Sequence, residues 1–229
     1  MIMDKKQLIL MACGMMSIVM LSTASSAEID CGPLVNDGLT WDYNDPKNWQ
    51  PSGDAPQSRI KLVENVHFKP YIEALVKGNT SGEDPFGDIE YTLRRFPNHH
   101  RALWAMSRYF RLAKYKENAK RNIRRFGDWK RTPHCFFDRA IRFRPKDSKV
   151  RTIYAAHLHL SGAADNSLEQ YRVAESLGAD SPDFYYNYGL LLFDLKKYPE
   201  SKQMALKAGN QGHPLQGLIN KLKNVGYWP

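Results

Sequence analysis

The sequence holds no C-x2-C pair, no G-x-S-x-G elbow and no glycine-rich loop of the phosphate-cradling kind. These absences argue against zinc ribbons, α/β-type serine hydrolases and nucleotide-binding loops. Its seven histidines supply no ligand set. His157 and His159 are two apart on a predicted helix and so point to different faces, while His99 and His100 sit at a helix start. The acids Glu83, Asp84, Asp88 and Glu90 crowd one segment and could hold a cation, but their spacing is not that of a calcium loop. His134 beside Cys135 suggests an activated thiol only if that sulfur stays reduced. From these residues we expect no enzymatic activity, no metal and no cofactor.

Cysteine is scarce as well, with three in 229 residues. What the three mean depends on the first 27 residues. Lys5 and Lys6 precede an apolar run from Leu8 to Leu21, and Ser25-Ser26-Ala27 supplies small residues for a signal peptidase. We therefore expect residues 1–27 to be a signal peptide, the mature chain to start at Glu28, and the protein to be exported, to the periplasm. Two rival readings stand beside this. An uncleaved anchor would need a longer run, uninterrupted by Gly14 and Ser17, to cross ~30 Å of hydrocarbon. Lipid attachment at Cys13 would leave an apolar "GMMSIVML" where a polar tether is usual. Export removes Cys13 and delivers Cys31 and Cys135 to an oxidising compartment, where a disulfide is expected and two separate thiols are the alternative. Such a bridge would span 104 residues and stabilise by about 4 to 5 kcal/mol at most in the chain-entropy model.

What is present in abundance is self-similarity. Shifted by thirty-four residues, Tyr188-Gly189 falls on Tyr154-Ala155, Leu192 on Leu158, Ser201 on Ser167 and Ala208 on Ala174. Tyr171 and Ala174 fall in turn on Phe137 and Ala140. A fixed period of this size signals stacked helical units. The pattern reads Tyr185-x2-Tyr188-Gly189-x2-Leu192, then Arg151-x2-Tyr154-Ala155-x2-Leu158, then Leu103-x2-Met106-Ser107-x2-Phe110. It resembles the tetratricopeptide repeat (TPR), a pair of antiparallel helices, although Arg151 stands where an aromatic is usual. The likeness covers about residues 66 to 224. It implies an all-α fold, a short solenoid of TPR-like helix-turn-helix units with an irregular N-terminal lead-in. Gly189, which costs a helix about 1 kcal/mol relative to alanine, is read as a close helix crossing.

Thr132-Pro133, Ser181-Pro182 and Tyr198-Pro199 mark helix starts, and Asp147 and Asn166 are candidate caps. The map predicts helices near 100–126, 133–144, 148–161, 167–177, 182–196 and 199–209, with a capping helix near 214–224. By domain, 28–65 reads as an irregular segment, 66–97 as a degenerate pair (Pro70–Lys77 and Gly87–Phe96), and 98–224 as the repeats. Phe110 to Phe137 spans twenty-seven residues where Leu158 to Tyr171 spans thirteen. An insertion at about 113–131 is therefore expected to prolong the first helix along the stripe Leu112, Tyr115, Ala119, Ile123, Phe126 and to stop at Gly127.

The insertion also concentrates charge. From Arg94 to Arg151 nineteen Lys or Arg face four acids, a balance of +15, so the remaining fourteen basic and twenty acidic residues stand at −6. Lys114, Lys116, Lys120, Arg121, Arg124 and Arg125 lie opposite the apolar stripe, a basic patch suited to an anionic partner. Export argues against nucleic acid, leaving an acidic protein segment, anionic lipid headgroups or acidic glycan. The resemblance implies a second site, a concave groove lined by the first helix of each unit. By position it would present Arg101, Trp104, Arg108 and Arg111, then Lys149, Thr152, Ala156 and His159, then Tyr186, Asn187, Leu190 and Phe193. The function expected from this resemblance is an exported scaffold or adaptor gripping an acidic or mixed peptide; the alternative is a peripheral protein held on anionic lipid or glycan by the basic helix.

Overall fold

A computed structural model describes residues 31–32, 34, 39–53, 55–80, 82–124, 131–214 and 216–229, and these are all-helical, with no strand among them. The expected signal peptide, Arg125, Phe126 and Gly127 lie outside the described residues. In chain order the helices are α1 (Arg59–His67), α2 (Pro70–Glu73), α3 (Phe86–Arg95), α4 (His100–Arg111), α5 (Lys116–Arg124) and α6 (Pro133–Phe143). Then follow α7 (Ser148–Leu160), α8 (Ala164–Ser176), α9 (Pro182–Asp194), α10 (Tyr198–Asn210) and α11 (Gln216–Asn224).

Local chemistry sets several of these boundaries. Thr132 accepts from the Cys135 amide, Asp147 from the Lys149 and Val150 amides, and Ser181 from the Phe184 amide, with proline in the first turn of α6 and α9. Asn166 caps nothing, because α8 begins earlier, at Ala164. The α7–α8 turn reverses through Gly162 at φ +83°, and thirty-four residues on, the α9–α10 turn reverses through Lys196 at φ +60°.

The thirty-four-residue echo persists in three dimensions. The Tyr171 and Tyr188 rings stack with centroids 4.9 Å apart, as Phe137 and Tyr154 do at 4.7 Å. Hydroxyls close both hairpins alike: Ser167 donates to the Ala155 carbonyl and Ser201 to the Gly189 carbonyl, each at 2.8 Å. Ser107, Ala155 and Gly189 are all buried. A Cβ on Gly189 would come within 2.7 Å of Leu218 Cδ2 and 3.3 Å of Met204 Cβ, so the missing side chain is what lets α10 and α11 approach α9.

Three expectations are corrected. First, no helix runs from 100 to 126: α4 ends at Arg111, and Leu112 is extended at φ −77°, ψ 125°. The chain turns, and α5 packs back against α4. Tyr115 stacks on Tyr109 at 4.6 Å, Asn122 Nδ2 donates to Tyr109 Oη at 3.1 Å, and Ala119 joins the core. The Tyr115 hydroxyl also donates to the Leu75 carbonyl at 2.8 Å, a bond that a straight helix would forfeit. Second, the segment expected to be irregular, 28–65, ends inside α1, which starts at Arg59, buries Ile60 and Val63 and packs on α3. Third, α2 is a single turn ending at Glu73 rather than a helix to Lys77.

The lead-in straps the turns of the bundle. Trp41 donates its amide to the Arg95 carbonyl at 2.7 Å and packs on Phe96, while Asp42 pairs with Arg144 at 2.6 Å. Cys31 and Cys135 stand at disulfide distance, S–S 2.10 Å. Asn44, Asn98 and His100 all reach the Asp147 carboxylate, so one acid joins strap, α3–α4 turn and α7. Burial works to raise the Asp147 carboxyl, but bonds from His100, the Val150 amide and Asn98 outweigh it and hold it below the usual range.

Candidate functional site

Helices α4, α7 and α9 lie side by side, and their shared face carries the residues expected to line a groove. A cavity of about 320 Å³ opens there. Trp104, Ile153 and Ala156 give it an apolar lining, with Thr152 and Asn187 between them and Lys149 at the edge. His100 and Asp183 complete the wall. Thr152 turns its hydroxyl onto the Ser148 carbonyl at 2.9 Å, and Asn187 donates to the Asp183 carbonyl at 2.8 Å, so both present carbon to the cavity as well as polar atoms.

The cations beside this cavity differ in how tightly they are held. Arg111 lies over the Trp104 ring, 5.3 Å from its centroid, and donates Nε to the Ser107 carbonyl at 3.3 Å. Arg108 is half-buried one turn earlier, and Lys149 is exposed. Arg101 is drawn away: its guanidinium grips Glu73 with two nitrogens and meets Glu64 at 3.2 Å. Those carboxylates raise its pKa, the Glu73 hydrogen bond most, so Arg101 ties α4 to α1 and α2.

The far end of the expected groove is closed. Phe193 and Tyr186 pack with Leu190 against Ala205, Leu218 and Leu222, under α11. Tyr186 stacks on His213 at 4.1 Å, and Lys221 sits over the Phe193 ring at 4.9 Å. His159 bonds Asp194 at 2.8 Å. The structure thus gathers Trp104, Lys149, Thr152, Ala156 and Asn187 into one cavity, and uses Tyr186, Leu190 and Phe193 to seat the terminal helix.

The basic insertion is likewise divided. Lys114 donates to the Leu75 carbonyl at 2.6 Å, Lys120 pairs with Glu117 at 2.9 Å, and Arg121 bonds Asn118. Lys116 is exposed. Arg124 ends α5, and its side chain, like Arg125, lies outside the described residues.

A second cavity of about 400 Å³ lies over α3, walled by His67, Phe86, Tyr91, Arg94 and Arg131. Sequence reading missed it, because it joins α1, α3 and the approach to α6. Within it the acidic segment separates. Asp88 is fully buried and accepts from His67 at 2.9 Å, the Asn79 amide at 2.7 Å and the Thr80 hydroxyl and amide. Burial alone would raise its carboxyl, yet these donors hold it low. Glu90 goes the other way: burial raises it despite Arg131, 2.7 Å away, and Arg94. Asp84 takes the Tyr109 hydroxyl at 3.0 Å. Asp84, Asp88 and Glu90 are each committed to different neighbours, Glu83 is exposed, and among the described residues no three His, Cys, Asp or Glu are arranged to hold a metal ion. Among those residues, too, no helix is long and apolar enough to cross a membrane. No family model matches the chain, and no curated protein matches it.

Proposed function

We propose that this chain is an exported adaptor, built like a tetratricopeptide-repeat protein, that grips an extended peptide in the α4–α7–α9 cavity. What supports the repeat reading is the repetition of paired hydroxyl-to-carbonyl bonds, Ser167 to Ala155 and Ser201 to Gly189, at the repeat period. Export is supported by the charged and apolar start of the sequence and by Cys31 and Cys135 at disulfide distance.

The observation that carries the binding reading is the juxtaposition of Trp104, Ile153 and Lys149 around one opening, with Arg111 lying over the Trp104 ring. An apolar side chain of the peptide enters the cavity, and an acidic neighbour meets Arg108, Arg111 or Lys149. The peptide is therefore acidic or mixed, and its path ends where α11 covers Tyr186 and Phe193. The amphipathic-helix alternative loses most of its insertion face, since Tyr115 and Ala119 are turned into the core and Ile123 alone of the α5 stripe is exposed among the described residues.

A peptide library displayed against the full chain tests this. Selected sequences should pair an acid with an aliphatic or aromatic residue. Trp104→Ala should weaken them by about 2 kcal/mol, roughly thirtyfold, and Arg111→Glu by a similar factor. Selected peptides insensitive to both substitutions would place binding elsewhere.

A further inference from the structure

The corner where α2, the turn at 76–80 and the start of α5 meet carries a basic surface around an outward-facing apolar residue. Leu75, a non-glycine residue, sits at φ +58° with its side chain fully buried, a conformation held only where surroundings dictate it. Its carbonyl accepts both Lys114 Nζ at 2.6 Å and the Tyr115 hydroxyl at 2.8 Å. This reversal throws Val76 outward at 64% exposure, the highest of any large hydrophobic residue among those described. Val66, also exposed, belongs to the same corner, since its carbonyl accepts from Asn79.

Cations surround these two valines. Lys69 and Lys77 lie 5.9 Å and 5.6 Å from the Tyr71 ring, Lys114 is fixed on Leu75, and the exposed Lys116 follows at the start of α5. Of the nearby acids, Glu73 is matched by Arg101 and Glu117 by Lys120, while Glu83, whose carbonyl accepts from Gly78, is exposed, so the corner keeps a basic excess from its lysines. We propose that this corner docks on an anionic lipid bilayer, with Val76 entering the headgroup boundary and the lysines resting on the phosphates. The exposed valine on a rigid turn is what favours lipid over an acidic glycan, which offers nothing apolar to bury. The inference is independent of the peptide cavity, whose residues it does not share.

Sedimentation of the full chain with vesicles tests it, comparing equimolar phosphatidylglycerol and phosphatidylcholine with phosphatidylcholine alone. Binding should be stronger to the anionic vesicles, and the excess should vanish at high salt. Lys77→Ala and Lys116→Ala should each lower the excess about fivefold, and Val76→Ser about tenfold, with helical circular dichroism unchanged. Equal binding to both vesicle types, or an excess that Lys77→Ala and Val76→Ser leave intact, overturns the proposal. So does binding of soluble heparin that matches vesicle binding and ignores Val76→Ser, because the surface would then read polyanions rather than lipid.

Discussion

The hydroxyl of Ser201 bonds the carbonyl of Gly189 at 2.8 Å, beside the point where α9 carries no side chain and Leu218 of α11 comes closest. Ser167 makes the same bond to Ala155 at the same length with a Cβ in place, so the bond does not need the bare Cα; what the glycine makes room for is Leu218.

A graded steric series at Gly189 follows. Alanine gains about 1 kcal/mol of helix propensity but pushes on Leu218 Cδ2, a side-chain end that can swing, so Gly189→Ala should change stability by less than about 1 kcal/mol. Gly189→Leu adds three further carbons beyond a Cβ that already lies 3.3 Å from Met204 Cβ and 3.5 Å from the Ser201 carbonyl, and should cost about 3 kcal/mol or more. Urea denaturation measures both. Pairing Gly189→Leu with Leu218→Ala should recover part of the loss, and strict additivity would show that the two sites do not touch.

Acid should weaken the fold before carboxylates matter. His157, at the α4–α7 crossing and 2.9 Å from the Ser107 hydroxyl, is driven down to about 4, chiefly by burial. His99 is lowered too, again by burial, with Glu64 opposing. The unfolded chain therefore binds protons at these sites more readily than the folded one. The stability they carry is complete above about pH 6.5 and falls as pH drops toward 4, by roughly 3 kcal/mol for His157. Stability against urea between pH 7 and pH 4.5 checks this, and His157→Gln should flatten the decline.

The strap supplies a redox-dependent term. Reducing Cys31–Cys135 should lower stability by about 2 to 5 kcal/mol and expose the segment around Trp41 and Tyr43 to protease. Its other ties, the Trp41 amide to Arg95, Trp41 on Phe96, Asp42 to Arg144 and Asn44 to Asp147, hold less firmly without the covalent link. Thermal unfolding with and without reductant, compared with the Cys31→Ser/Cys135→Ser double variant, reads the difference.

Helices α7 to α10 were legible from their thirty-four-residue apolar period, helped by the Asp147 cap of α7, by Ser181 and Pro182 at α9 and by Pro199 at α10, while α8, with no capping side chain, starts earlier than Asn166 suggested. The break at Leu112 was not, because a stripe of Leu112, Tyr115 and Ala119 says which side chains seek burial and not whether the backbone between them stays helical. The deciding partner, the Leu75 carbonyl, is forty residues away from Tyr115. α1 could have been found from Ser58, which caps it, and from Ile60 and Val63, but its exposed Leu62 and Val66 blur the pattern. At the cavity, Trp104, Thr152 and Asn187 were predictable by position. The fates of Tyr186 and Phe193 depended on where α11 comes to rest, which no local pattern encodes.

That resting place decides what covers α9 and α10. Leu218 and Leu222 are fully buried, thirty-four residues beyond Phe184 and Tyr188, and seat α11 on those two helices. Its outer side, with Asn220, Lys221 and Lys223, is hydrophilic and exposed. Clipping the chain after Gly212 would bare Ala205, Leu190 and Phe193 together, converting a finished edge into an adhesive one on which a second molecule could grow.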